Sequence, residues 1–186
     1  MYRIFLSPLL VVIVMLFVPS VEKALFYLPL IFSLSVCLVN HSKVKINKTL
    51  GIFLPILQSY AVFLGLAVVV FFFDEWLQKI LADTEDGIMG IALVTFGGYL
   101  AAMLLFYFYT YIFRVTNLRF SYMTITLFYA VVVIIMQVFS KNEFLQFGVE
   151  KFASYLISWC IVMSLAFSLS LNREEYLLVV ERKKNS

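Results

Sequence analysis

Long runs of apolar residues, separated by short polar stretches, set the pattern of this chain. Six of them cover residues 2–18, 24–39, 49–73, 88–113, 120–139 and 152–171. The last four reach the roughly 20 residues that a helix needs to cross a hydrocarbon core of about 30 Å. The first two are shorter, and the sequence VPSVEK between them, with a proline and two charges, predicts a tight turn within a helical hairpin. The pattern therefore predicts an all-α fold, a polytopic membrane bundle of about six transmembrane helices, with four or five as the alternative.

The composition strengthens this interpretation. Hydrophobic residues fill 63% of the 186 positions and charged residues 13%, whereas a soluble domain carries about 25% charged residues. We therefore expect an integral membrane protein, with a helical bundle over residues 1–171 and a tail over residues 172–186.

The basic residues predict the orientation of the bundle, because cytoplasmic loops carry an excess of lysine and arginine. With the N-terminus inside, ten basic residues lie on the cytoplasmic side and four outside. The ten are Arg3, Lys43, Lys45, Lys48, Arg114, Arg119, Arg173, Arg182, Lys183 and Lys184. Both termini are expected in the cytoplasm, the location is expected to be a bacterial inner membrane, and the first run is expected to be an uncleaved helix.

The longest segment predicted outside, DEWLQKILADTEDG, has helical amphipathic spacing. Trp76, Leu77, Ile80 and Leu81 share one face of a helix, and most of the acids lie on the others. We expect this segment to lie along the membrane surface, and a receptor loop for an external ligand is the alternative.

Ionisable side chains are absent from the central part of every apolar run. Because such a group costs about 2.5–3.5 kcal/mol at mid-membrane, its presence there usually signals proton or ion coupling. The single histidine, His41, and the two cysteines, Cys37 and Cys160, have no second ligand at metal-binding spacing. We expect no enzymatic activity, no cofactor, no metal site and no direct binding of nucleic acid.

Neutral polar residues are the remaining candidates for an interior site. Gln58, Tyr60 and Tyr99 are expected at similar depth in the membrane. They either hydrogen-bond neighbouring helices or line a narrow polar cavity.

Small residues in the fourth run predict a close helix contact. They are Gly90, Gly97, Gly98, Ala101 and Ala102, and most of them fall on one side of a helix. Tyr107, Tyr109 and Tyr111 follow them, and we expect these three tyrosines to form an aromatic belt at the cytoplasmic interface.

The tail NREEYLLVVERKKNS places apolar residues between charged clusters. It predicts either an extension of the last helix or a surface that binds a partner or a second subunit. The candidate binding residues are Tyr176, Leu177, Leu178, Arg182, Lys183 and Lys184.

Two functional hypotheses follow. The first is a non-enzymatic membrane anchor or sensor that contacts lipid, forms homo-oligomers and engages a cytoplasmic protein. Its general character is that of bacterial toxin-immunity proteins and of membrane subunits of phage-defence systems, an analogy at the level of class. The second is a small-molecule transporter or channel component that binds a neutral ligand, since six helices in this length resemble the substrate-binding subunits of energy-coupling vitamin transporters. An intramembrane enzyme would need a nucleophile, base or metal set that the sequence does not offer.

Overall fold

The computed structural model describes residues 2–17, 21–80, 87–139, 149–174 and 177. Within these ranges the chain forms six α-helices and one short 3-10 helix, and no strand. The helices are α1 Tyr2–Leu16, α2 Val21–Val39, α3 Leu50–Ile80, α4 Gly87–Ile112, α5 Leu118–Phe139 and α6 Val149–Leu171, and the 3-10 helix is His41–Lys43. The all-α prediction is therefore confirmed, with one helix for each apolar run.

Helix α3 is longer than the apolar run that predicted it. It continues through Asp74 and Trp76 to Ile80, so the first half of the segment predicted to lie on the membrane surface extends α3 and is not a separate helix. Residues 81–86 of that segment, Leu81 among them, lie outside the described residues. No proline or glycine occurs between Gly65 and Ile80, and nothing in the local sequence ends the helix where its polarity changes.

Helix α6 lies at the centre of the bundle. It packs against α1, α2, α5 and, less extensively, α4, while α3 packs between α2 and α4. From Tyr155 to Leu171 every side chain of α6 is buried or half-buried. The last of the six helices in the described part of the chain is thus the one around which the others are arranged.

Aromatic rings fill the space between α6 and its neighbours. The indole of Trp159 lies 5.5 Å from the ring of Phe32 on α2 and 5.4 Å from that of Phe63 on α3, measured between centroids. Phe167, two turns further along α6, contacts Phe32 at 5.5 Å and Phe106 of α4 at 5.4 Å. Tilted and edge-to-face pairs of this kind stabilise a core beyond the area that they bury.

The outer surface is apolar on helices α1 to α5. Large exposed side chains include Phe5, Leu9, Phe26, Phe53, Leu57, Leu64, Phe96, Leu104, Met123, Leu127 and Ile134. By contrast, many small polar side chains are buried, among them Ser7, Ser33, Ser35, Ser59, Ser164, Ser168 and Ser170. The core is nevertheless mainly apolar, so the unusual feature is the number of large apolar side chains on the outer surface.

Two helices of the described chain are long and apolar enough to cross a membrane, through Thr95–Ile112 and Leu118–Ile135. The other apolar stretches within the described residues have 10–17 residues: Ile4–Leu16, Phe26–Val39, Leu50–Leu66 and Tyr155–Leu171. The sequence predicted four runs of spanning length. Among the described residues, two of these four, in α4 and α5, are both long and apolar enough to span.

Candidate functional site

Two loops meet at one end of the bundle, which we call the basic end. The α2–α3 loop and the α4–α5 loop form an isolated antiparallel bridge between Val44 and Phe113. The amide of Lys45 donates to the carbonyl of Ile112 at 2.7 Å, and the amide of Arg114 donates to the carbonyl of Lys43 at 2.8 Å. Backbone bonds of this kind fix the relative position of the two loops.

Asparagine side chains accept hydrogen bonds from backbone amides near the start of the two helices that follow these loops. The Asn117 side-chain oxygen accepts from the amide of Phe120 at 2.8 Å, which is an N-cap for α5. The Asn47 side-chain oxygen accepts from the amide of Thr49 at 3.0 Å just before α3. Short polar side chains satisfy amides that a helix start otherwise leaves unpaired.

Gly51 allows the α2–α3 loop to fold back on the start of α3. A Cβ atom at this position would collide with the Val44 side chain, which belongs to the bridge. Close approach of the loop therefore requires a residue without a side chain here.

A buried amide pair connects α6 to the same end. The Asn172 side-chain nitrogen donates to the Asn40 side-chain oxygen at 2.6 Å and to the carbonyl of Ser168 at 2.8 Å. Asn40 in turn donates to the carbonyl of Val36 at 2.9 Å. Both asparagines are buried, so the C-terminal ends of α2 and α6 are joined by side-chain bonds shielded from solvent.

The charge at this end is strongly positive. Among the side chains whose placement the structure describes, the basic ones are Lys43, Lys45, Lys48, Arg114, Arg119 and Arg173, and the only acidic one is Glu174. The Lys45 ammonium donates to the carbonyl of Thr110 at 2.9 Å, in the last turn of α4, where the helix dipole is negative. The Arg173 guanidinium lies 5.0 Å from the ring centroid of Phe120, a cation–π contact between α5 and the end of α6.

A partly open depression lies where the loops and the end of α6 meet. Its volume is about 390 Å³, and it is lined by Ser42, Lys43, Arg114, Thr116 and Glu174. Two cations, two hydroxyl groups and one carboxylate can bind polar or charged groups there. Ser42 and Thr116 were not candidates from the sequence, because nothing in it indicated that the two loops touch.

Gln58, Tyr60 and Tyr99, the predicted interior polar residues, lie in three different surroundings. The Tyr60 hydroxyl donates to the carbonyl of Phe26 on α2 at 2.9 Å, whereas the Tyr99 hydroxyl lies 3.1 Å from the Thr126 hydroxyl oxygen on α5. The side-chain oxygen of Gln58 is buried with no hydrogen-bond partner among the described residues. No hydrogen bond connects these three residues to one another in the part of the chain that the structure describes.

The predicted small-residue face of α4 packs inside the chain. Gly98, Ala101 and Ala102 are buried. The Trp159 indole nitrogen donates to the Gly98 carbonyl at 3.1 Å, and a Cβ at Gly98 would collide with the Tyr155 hydroxyl. Close contact between α4 and α6 thus depends on the missing side chain at Gly98.

The two remaining members of that set are on the same helix. A Cβ at Gly97 would collide with Leu66 of α3. Gly90 belongs to α4, and the surroundings of its side-chain position lie outside the described residues.

The predicted tyrosine belt is wrong for one of its three members. Tyr109 is fully buried, and its hydroxyl lies 3.2 Å from the Ser59 hydroxyl oxygen on α3. Its position near the edge of the glycine face of α4 turns it into the core. Tyr107 and Tyr111 are exposed, and their hydroxyl oxygens are 2.5 Å apart.

The predicted tail residues lie mostly outside the described chain. Leu177 is helical and 40% exposed. Tyr176, Leu178, Arg182, Lys183 and Lys184 lie outside the described residues.

Sequence reasoning also missed the Asn40–Asn172 pair. Each asparagine directly follows the last apolar residue of its run, Val39 or Leu171, and this shared position is the only signal that could have found it. A hydrogen bond between them could be predicted only if α2 and α6 were known to be neighbours, and the sequence pattern does not show this.

Comparison with protein-family models, with curated proteins and with solved structures finds no match. Within the described residues there is also no group of three or more His, Cys, Asp or Glu that could hold a metal ion.

Proposed function

We propose that this chain is an integral membrane protein whose six helices form a bundle around α6, with the basic end facing the cytoplasm. Its function is non-enzymatic: it serves as a membrane anchor or sensor subunit that self-associates and presents the basic end and the tail to a cytoplasmic partner. A role in a bacterial toxin-immunity or phage-defence system stays a prediction from class analogy.

The apolar outer surface of the bundle carries this proposal. Large apolar side chains are exposed around α1 to α5, for example Phe53 at 66% and Leu127 at 66%. Soluble monomers rarely expose contiguous apolar surface of this extent. A hydrocarbon solvent makes such a surface favourable.

Three of the buried serines support the same environment, whereas the hydroxyl groups of Ser168 and Ser170 have no hydrogen-bond partner among the described residues. Ser33 donates to the carbonyl of Pro29 at 2.7 Å, and Ser35 donates to that of Phe32 at 2.8 Å. Ser164 donates to the carbonyl of Ile161 at 2.8 Å. Bonds to the preceding turn let a hydroxyl group lie in a helix without water, as a membrane interior requires.

The orientation rests on the position of the charges. The α2–α3 loop, the α4–α5 loop and the end of α6 lie at the basic end. Helix α1 begins on the same side, because Ser7 in its first half is 3.2 Å from Ser35 near the end of α2. An excess of lysine and arginine favours the cytoplasmic side.

Extraction and topology mapping test this proposal. The full-length protein should remain in the membrane pellet after alkaline carbonate treatment and be released by detergent. Cysteines at Lys48 and Arg119, introduced after Cys37 and Cys160 are replaced by alanine, should react with a membrane-impermeant maleimide only when the vesicles expose their cytoplasmic side. Release of the protein by carbonate, or labelling from the opposite side, would overturn the proposal.

Self-association has a candidate surface on α3. Gly98, Ala101 and Ala102 are buried within the chain and are not free for a second copy. Ala61 and Gly65, in contrast, are exposed at small-xxx-small spacing, and nothing lies within 4 Å of a Cβ atom at Gly65. Small residues at this spacing let membrane helices approach closely.

A matched pair of variants tests that surface. Gly65→Leu should convert the oligomer to a monomer in detergent, measured by light scattering, because a leucine blocks close approach. Ala130→Leu places the same bulk on an exposed site of α5 and should leave the mass unchanged. A wild-type protein that is monomeric, or equal masses for both variants, would contradict self-association through α3.

Variants of the tail test whether it binds a cytoplasmic protein. Removing residues 175–186 should leave membrane integration intact, because the last apolar run of the sequence ends at residue 171, before this segment. A photo-crosslinking residue at Leu177 should form a specific adduct with a cytoplasmic protein. One at Leu127, on the exposed apolar face of α5, should not. Absence of any protein adduct at Leu177 would count against a tail-bound partner.

A further inference from the structure

The bridge at the basic end holds two cationic residues next to each other. The amide of Arg114 donates to the carbonyl of Lys43, and the adjoining Val44–Phe113 bridge fixes the backbone on the next residues. Both residues line the depression of about 390 Å³. Positive charges held together on a fixed backbone favour an anion between them.

The other lining groups indicate which anion would bind. Ser42 and Thr116, whose side chains carry hydroxyl donors, line the same depression as Arg114. A phosphate group accepts hydrogen bonds from hydroxyl groups, from an ammonium and, in bidentate form, from an arginine. The volume is also within the range of small-molecule sites, about 300–1,000 Å³.

Glu174 adds a negative charge to the lining, which a simple phosphate does not complement. Its carboxylate is exposed and lines the same depression, where it repels an anion and attracts a cation. A ligand that carries a phosphate and, a few bonds away, an amine complements both sides of the depression.

We propose that the depression formed by Ser42, Lys43, Arg114, Thr116 and Glu174 binds a phosphoethanolamine group, with the phosphate on the two cations and the amine on Glu174. The source of the ligand rests on the proposed function. If the basic end faces the cytoplasmic leaflet, the depression is at headgroup level, at the end of the bundle where the last turns of α4 carry the exposed Tyr107 and Tyr111. The ligand is then the headgroup of phosphatidylethanolamine.

Lipid titration by native mass spectrometry tests the site. The purified full-length protein in a maltoside detergent is titrated with phosphatidylethanolamine and, separately, with phosphatidylglycerol, which has the phosphate but no amine. We expect the wild type to prefer phosphatidylethanolamine. Glycerophosphoethanolamine, which carries the same headgroup without acyl chains, is titrated by calorimetry as the soluble arm.

Three variants separate the parts of the site. Arg114→Gln should weaken both lipids by about tenfold, because it removes a charge-assisted contact with phosphate. Glu174→Gln should weaken phosphatidylethanolamine by about tenfold and leave phosphatidylglycerol unchanged, since only the amine contact is lost. Arg119→Gln removes an exposed cation of the same end that does not line the depression, and it should change either affinity less than about twofold.

The outcomes test the proposed binding site separately from the proposed membrane location. Equal affinity for the two lipids, or equal effects of Arg114→Gln and Arg119→Gln, would overturn the site even if carbonate extraction shows membrane integration. Binding of glycerophosphoethanolamine as tight as that of the lipid, with the same losses in the variants, supports the site but assigns it to a soluble ligand. That arm needs no bilayer, so it tests the chemistry of the depression even if the proposed function fails.

Discussion

Helices α5 and α6 are neighbours of similar length, with 22 and 23 residues, but they meet opposite surroundings. Helix α5 exposes Met123, Leu127, Val131 and Ile134, which follow one another at helical spacing on one face. No side chain of α6 from Tyr155 to Leu171 is exposed, and this helix carries buried serines. The two helices therefore differ in exposure: α5 has an apolar face on the outside of the bundle, whereas α6 is enclosed by its neighbours from Tyr155 to Leu171.

The largest effect is expected from removing the aromatic centre of α6. Trp159→Ala eliminates two ring contacts and the hydrogen bond to the Gly98 carbonyl, and should lower the free energy of unfolding by about 3–5 kcal/mol. Unfolding of the detergent-solubilised protein in increasing denaturant measures this change. Met123→Ala, at a 64% exposed site of α5, is the control and should cost less than about 1 kcal/mol. Similar losses for both variants would remove the distinction between the two helices.

A charge on the outer face of α5 is the next largest perturbation. Leu127→Arg should impair membrane insertion by about 2.5–3.5 kcal/mol if that face contacts lipid. A glycosylation-based insertion assay of the α5 segment measures it, with Leu118→Arg at the start of the helix as the less costly control. Unchanged insertion of Leu127→Arg would show that this face does not lie in hydrocarbon.

The amide pair between α2 and α6 should have an intermediate effect. Asn172→Leu leaves the buried side-chain oxygen of Asn40 without its donor, so we expect a loss of about 1–3 kcal/mol. The double variant Asn40→Leu/Asn172→Leu removes both partners and should lose less than the sum of the single losses. Unfolding in denaturant gives the coupling energy, and strictly additive losses would contradict the bond.

The smallest effect is expected where α4 meets α5. Tyr99→Phe removes the hydroxyl contact with Thr126 but keeps the ring, which lies 5.4 Å from that of Tyr129. The loss of stability should be about 0.6 kcal/mol, typical of a hydrogen bond between membrane helices. Thr126→Val should produce a similar loss, and the double variant should add little. Additive losses would indicate that Tyr99 bonds to something else.

The helices were predictable from the sequence, and the reason is local. Asparagine favours helix ends over helix interiors, and one directly follows the second and the sixth apolar run, so α2 ends at Val39 and α6 at Leu171, as the runs do. Helix α3 differed because no residue after Gly65 breaks it, and polarity alone did not end it at the edge of its apolar run.

The side-chain environments were less predictable, because they depend on which helices become neighbours. Tyr107, Tyr109 and Tyr111 have the same chemistry and similar spacing, yet only Tyr109 faces the Ser59 hydroxyl in the core. The depression at the basic end has the same origin, since Ser42 and Thr116 are far apart in sequence and meet only through the bridge between the two loops.

The central claim, that α1 to α5 surround α6 and face lipid, is tested most directly by spin-label accessibility in reconstituted vesicles. A nitroxide is attached to a cysteine at Leu127, in a background with Cys37 and Cys160 replaced by alanine, and a second one at Lys48 serves as the reference. We expect the label at residue 127 to be relaxed by oxygen and shielded from a water-soluble nickel complex, and the label at residue 48 to show the reverse. Equal access of the nickel complex to both labels would contradict the membrane bundle.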